Sequence, residues 1–354
     1  MMTLLRCLSL LALAGMLFCG SGCRMGYYFH LTAGQLSLLC GAVPVEDAIR
    51  EGPLSQDERE RLRLVARIKE FGETVLGLQK TENYRTVYLK SRQNPIFTIS
   101  ASPKDRLSRV TWWFPIVGDM PYLGFFEIES ARKEKEKLLQ KDLDVALGRA
   151  DAYSTLGWFR DPVTRSLLEE AVPDLVETIL HEMTHVTLYV KGQGEFNEGL
   201  AMLVGLMGAR LFLEREYGPA HPFSALADGA IQDERVFSSF VGSLLERLER
   251  LYSSPVSREE KLRERQKVFS RAVAEFGSLR VRLKTDRHRN FGNAGMNNAY
   301  LLSLSLYHRH YGLFEAFLDA HGGSLREMIQ TLARFSVEER DLLGKMRAAL
   351  ADRQ

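Results

Sequence analysis

Leu175-Val-Glu-Thr-Ile-Leu-His181-Glu182-Met-Thr-His185-Val-Thr-Leu-Tyr-Val190, followed by Lys191-Gly-Gln-Gly194 and Glu195-Phe-Asn-Glu198-Gly-Leu-Ala201, decides how this 354-residue chain is read. Leu175, Ile179, Met183, Val186 and Val190 recur at spacings of three and four, so Leu175–Val190 is expected to be one amphipathic helix. His181 and His185 then lie one turn apart on a common face, within reach of a single ion. Neutral imidazoles are zinc ligands, and Glu182 stands where it can take a proton from an attacking water. Catalytic zinc commonly has three protein ligands, so a carboxylate from an adjacent antiparallel helix should complete the set. Glu198 is the candidate. Glu195 shares roughly the same face, but it falls in the first turn of its helix, where the dipole and free N–H groups already account for a carboxylate. Ala201, Gly205 and Ala209 form a small-residue stripe whose expected purpose is close helix packing, and Met202 and Met207 read as core filling.

Working outward, Ser55-Gln-Asp-Glu58 has the capping-box pattern and should open a long charged helix to about Lys80. Phe97–Ser100 and Thr111–Phe114 read as short strands, Phe126–Lys141 as a helix, and Ala152–Phe159 as an extended segment. Asp161-Pro162 and Pro173 can each open a helix. After Glu195 the strand signals stop, and capping boxes recur at Ser257, Ser324 and Ser336. The chain is therefore expected to be α+β and mostly α-helical, with a small β-sheet before the His181–His185 helix and a helical C-terminal half.

Hydrophobic residues at 45% and charged residues at 26% are those of a folded globular chain. The formal charge of +2 gives no field strong enough to hold nucleic acid by its phosphates or an anionic membrane by surface charge. At the N-terminus, Arg6 precedes an apolar run too short for a transmembrane helix and suited to a secretory signal over residues 1–22. The run ends in Gly20-Ser21-Gly22-Cys23, which looks like a bacterial lipobox, with Gly20 where an aliphatic residue is usual. Cleavage would remove Cys7 and Cys19, leaving Cys23 for lipid and Cys40 with no partner for an intramolecular disulfide. Acyl chains on Cys23 would anchor the protein to a lipid membrane, each buried CH₂ contributing about 0.8 kcal/mol.

The resemblance extends beyond these motifs. Gly22-Cys23, Tyr27-Tyr28, Gly34-Gln35, Ser100-Ala-Ser102, Trp113-Phe114-Pro-Ile-Val-Gly118, Pro121-Tyr122, Ala152-Tyr-Ser-Thr-Leu-Gly-Trp158, Asp161-Pro162, His181-Glu-Met-Thr-His185 and Phe196-Asn-Glu198 occur in that order. This series resembles the predicted bacterial aminopeptidase lipoproteins over most of the mature chain, most weakly over 215–290. The Asn-Glu-Gly-Leu-Ala string resembles the third-ligand helix of gluzincin peptidases, though thirteen residues from His185 to Glu198 is a shorter separation than in thermolysin-like enzymes.

The resemblance implies a zincin-like core at 96–215, between an N-terminal helical region at 23–95 and a helical C-terminal region at 216–354. It further implies one zinc ion on His181, His185 and Glu198, Glu182 as base, and a peptide substrate. Tyr153–Phe159 resembles an edge strand along which a peptide could pair, and an ordinary buried strand is the equal alternative. Asn297-Asn298-Ala-Tyr300 and Tyr307 also resemble family positions, with Tyr307 ahead of Tyr300 as donor to a developing oxyanion. His221, His288, His308, His310 and His321 read as surface or core histidines. Aminopeptidase action needs an acidic group for the substrate amine, for which Glu195, Asp151 and Asp161 are available. A periplasmic endopeptidase and a non-catalytic envelope lipoprotein on the same scaffold remain the alternatives, the latter disfavoured by Glu182. The implied location is a bacterial envelope membrane, facing periplasm or exterior. Arg24 after Cys23 favours the outer membrane in a Gram-negative host.

Overall fold

The computed structural model describes residues 40–89, 96–114, 118–150, 160–293, 295–338 and 340–352. Cys23 with its leader and the extended segment Ala152–Phe159 lie outside the described residues.

Val43–Pro44 (β1) leads into Val45–Glu51 (α1), and Ser55 opens Gln56–Phe71 (α2) with the expected capping box: the Ser55 hydroxyl accepts from the Glu58 amide while the Glu58 carboxylate accepts from the Ser55 amide. The helix does not reach Lys80. It widens into one π turn over Gly72–Leu76 and stops at Gly77, whose φ of 74° suits glycine at a C-terminal cap. Thr86–Tyr88 (β2) pairs antiparallel with β1.

Ile96–Pro103 (β3) forms the centre of the main sheet. Trp112–Phe114 (β4) and Gly118–Met120 (β5) make a separate hairpin. Leu123–Phe125 (β6) and Leu143–Ala150 (β7) flank β3, both antiparallel, with Ile99 opposite Leu123 and Leu147. Ile128–Leu139 (α3) closes one face of this sheet through Ala131 and Leu138, against Ile99, Phe125 and Val145. Strand β7 was not anticipated. Its apolar alternation stops at Gly148-Arg149, and Gly148 is needed because a Cβ there would meet Thr98 Oγ1 at 2.6 Å. The Asp161-Pro162 expectation fails as well. Val163–Thr164 (β8) pairs parallel with β2, and Thr164 rather than Asp161 caps Arg165–Glu169 (α4) by accepting from the Leu167 amide.

The rest is helical: Val172–Thr187 (α5), Gly194–Tyr217 (α6), Pro222–Ser253 (α7), Arg258–Arg280 (α8), Asn298–His308 (α9), Tyr311–Asp319 (α10), Leu325–Glu338 (α11) and Leu342–Ala351 (α12). The architecture is α+β and mostly helical. Ser257 and Ser324 accept from the Glu260 and Glu327 amides, which is the N-cap half of the expected capping boxes. Ser336 does not cap. It lies inside α11, where its hydroxyl donates to the Ala333 carbonyl, and Asp341 caps α12 instead.

By length and composition α6 could cross a membrane, but it is the core of this fold, with 78% of its apolar window buried. A helix apolar on all sides has to be covered on all sides. Its small-residue stripe packs as expected: a Cβ on Gly205 would lie 3.1 Å from the Glu177 carbonyl oxygen of α5, so the two backbones nearly touch. This helix pair carries the candidate site.

A buried ion pair bolts the sheet to the helical half. Arg265 of α8 donates to both Asp144 oxygens, at 2.7 and 3.2 Å, and the same carboxylate accepts from the Asn298 amide at 2.9 Å. Each side chain of the pair is 7% exposed. Removing one partner strands a buried charge, so Arg265→Ala should cost about 3–5 kcal/mol in urea unfolding. A loss below about 1 kcal/mol would show that water reaches Asp144 and that the pair is not a structural bolt.

Candidate active site

Helix α5 ends at Thr187, three residues short of the expected Val190, and Asn197 is the reason. The Val190 amide donates to Asn197 Oδ1 and Asn197 Nδ2 donates to the Val190 carbonyl, both at 2.8 Å. One buried side chain thus takes both backbone groups of Val190, holding residues 188–190 extended, and Gly192, at φ 80°, turns the chain back. The short separation between His185 and Glu198 closes through this clasp.

His181 and His185 face one another with Nε2 atoms 3.1 Å apart, and Glu198 Oε2 lies 3.4 Å from each. These three donors can hold a metal ion. Bonds of about 2.0–2.1 Å in a tetrahedral zinc site place neighbouring donors roughly 3.3 Å apart, so the triangle already has zinc's dimensions. Burial alone would raise the Glu198 pKa, but the two imidazoles override it and hold the carboxyl below its usual range. Burial likewise opposes a charge on His185, and Glu198 outweighs it. Glu182 is the next residue on α5 and stays partly exposed, open to solvent water.

The structure brings Tyr307 to this triangle and leaves Tyr300 away from it. The Tyr307 ring stacks on His181 at 6.2 Å, and the Glu198 charge, together with burial, keeps the phenol protonated. Tyr300 instead packs on Phe291 in the second core cluster. Tyr122 and Tyr189 complete a phenolic surround, Tyr122 acting on Tyr307 and Tyr189 facing the Glu198 charge and the Met120 sulfur of the β4–β5 hairpin.

The acidic candidates for an amine fare differently. Glu195 accepts from Arg109 Nη2 at 2.7 Å and from His310 Nε2 at 2.9 Å. Burial opposes its charge, yet His310 and Arg109 hold its pKa at about 2, so this carboxylate is already matched inside the protein. Asp161 is buried, bonded by side chain and amide to Asn83. Asp151 lies outside the described residues. His310 is thus neither a free surface nor an apolar core histidine, and His308 and His288 both meet Glu234.

Sequence reading missed Arg109, Asn197 and Tyr84. Tyr84 has a left-handed backbone, φ 63°, and a buried phenol whose pKa is raised by burial first and the Glu182 charge second. Nothing in the 81–85 stretch marks a tyrosine for that place.

The family described as "Putative aminopeptidase" matches residues 26–342, spanning α5, α6 and α9. The chain belongs to that family. No curated protein and no solved structure matches it. Within the aminopeptidase family match, Asn297 and Asn298 have structural duties: Asn297 caps α9, and Asn298 Nδ2 donates to the Pro103 and Arg106 carbonyls.

Proposed function

We propose that this member of the aminopeptidase family is a zinc-dependent peptidase of gluzincin type, acting as an aminopeptidase and tethered to the envelope by Cys23. The observation that carries the reading is the His181–His185–Glu198 triangle, of zinc dimensions, with Glu182 beside it on the same helix. When bound, zinc would supply a Lewis acid that polarises the scissile carbonyl and makes water more acidic. His181, His185 and Glu198 hold the ion. Glu182 takes the proton of the attacking water onto its carboxylate and then delivers it to the leaving amine nitrogen. The Tyr307 hydroxyl, kept protonated, donates to the carbonyl oxygen as negative charge develops there.

An endopeptidase is the second reading, favoured by one observation: Glu195 is neutralised by Arg109 and His310 and so offers an amine little net charge. Metal analysis of the purified soluble chain, followed by assays on aminoacyl and internally quenched peptides, separates the readings. One zinc with cleavage of aminoacyl substrates supports the proposal, and cleavage only of blocked internal bonds selects the endopeptidase. Zinc with no hydrolysis of either leaves a non-catalytic scaffold.

For the anchor, Cys23→Ala should abolish acyl labelling and release or misprocess the protein. Lipid attached to that variant, or a native chain starting elsewhere, would remove Cys23 from the reading.

A further inference from the structure

A second group of buried polar side chains adjoins Tyr307 along α9. Glu234 of α7 has no exposed surface, and its Oε1 faces His308 Nδ1 at 2.6 Å. Its Oε2 lies 3.4 Å from His288 Nε2, and Ser238, one turn on, donates its hydroxyl to the same carboxylate. Phe237 is stacked on His288 at 3.9 Å and stands edge-on to His308 at 4.8 Å, so the polar group is walled in by aromatic rings. The segment holding His288 is itself tied to the ligand helix: Arg287 holds Glu177 through both guanidinium ends, with Nη1 at 2.6 Å, and Glu177 lies one turn before His181.

A buried carboxylate of this kind is costly unless paired, and the packing of α7 against α9 that brings His308 to Glu234 satisfies it. Neighbouring residues on a helix are about 100° apart around its axis. Fixing His308 against α7 therefore fixes the direction in which Tyr307 leaves α9, toward the stack on His181.

We propose that Glu234 and His308 are positioning residues for Tyr307, a buried carboxylate–imidazole contact that sets the rotation of α9 and so holds the phenol over the His181–His185–Glu198 triangle. The inference rests on the peptidase reading for what Tyr307 does, but the placement can be tested without catalysis.

In full-length soluble protein labelled with ¹³C on the tyrosine rings, the Tyr307 signal is assigned by its loss in Tyr307→Phe. Glu234→Gln should shift or broaden the Tyr307 signal while leaving that of Tyr88, in β2, in place. An unmoved Tyr307 signal overturns the proposal whatever the activity. If the wild type hydrolyses peptides, Glu234→Gln should lower kcat by roughly tenfold and weaken a phosphinic peptide inhibitor equally, with KM and zinc content unchanged. In a Tyr307→Phe background the same change should have no further effect. Equal losses in both backgrounds also overturn the proposal, since a general structural role would act regardless of the phenol. An inactive wild type ends the peptidase reading and leaves the ring signal to decide the placement. Should Glu234→Gln not fold, His308→Gln, which replaces the other side of the contact, enters the same measurements with the same criteria.

Discussion

Glu182→Gln is expected to retain its zinc and lose hydrolysis by about 10²–10⁴-fold, the range a positioned general base supplies. The amide has nearly the same shape as the carboxylate but cannot accept the proton. The triangle is untouched, since His181, His185 and Glu198 contact one another through Nε2 and Oε2 atoms that do not involve residue 182. The phenols of Tyr84 and Tyr307, each within the field of Glu182, lose a nearby negative charge, a secondary effect on groups that stay protonated at neutral pH in either case. Zinc content by elemental analysis and kcat on the best peptide found for the wild type make the measurement. Activity within a few-fold of wild type would remove Glu182 from the mechanism.

Glu198→Ala is expected to weaken zinc binding by about 10²-fold or more, since residues only supporting a ligand already contribute 10–100-fold. Glu195→Ala should leave zinc affinity within a few-fold. The two carboxylates stand one turn apart on α6, and their partners separate them: Glu198 Oε2 touches both histidines, while Glu195 is held by Arg109 and His310. The cost of Glu195→Ala should appear as stability instead, about 1–3 kcal/mol for the charged hydrogen bonds left unmade. That contribution has a definite pH dependence. The folded pKa of about 2 lies below the unfolded value, so the stabilisation is complete above the unfolded pKa of about 4.3 and is lost as pH falls toward 2. Titration with a competing chelator, alongside unfolding at pH 7 and pH 3, reads both effects. Equal zinc retention by the two variants, or loss only with Glu195→Ala, would sink the ligand assignment and with it the gluzincin reading.

Much of the candidate site was legible because it is local. An i, i+4 pair of histidines needs only a helix to meet, and the spacing of Leu175, Ile179 and Met183 already demanded one. Choosing Glu198 over Glu195 needed only their places relative to the start of α6. The N-caps at Ser55, Ser257 and Ser324 were legible for the same reason, each being a contact across three residues. Ser336 shows the limit: the same letters occur inside α11, where tertiary packing continues the helix past the signal.

The sequence by itself determined the period of the ligand helix, the pair of imidazoles on its face and the carboxylate on the helix that follows, because neighbours along a helix are fixed by its geometry. Tertiary structure decided what surrounds them. Arg109 and His310 meet Glu195 across 86 and 115 residues, and His308 meets Glu234 across 74. The choice of Tyr307 over Tyr300 is of the same kind: both lie on α9, and only its packing against α6 and α7 determines which phenol reaches the His181–His185–Glu198 triangle. Such pairings are set by the low tolerance of a close-packed interior for an unpaired charge, and that constraint acts only once the helices are in place.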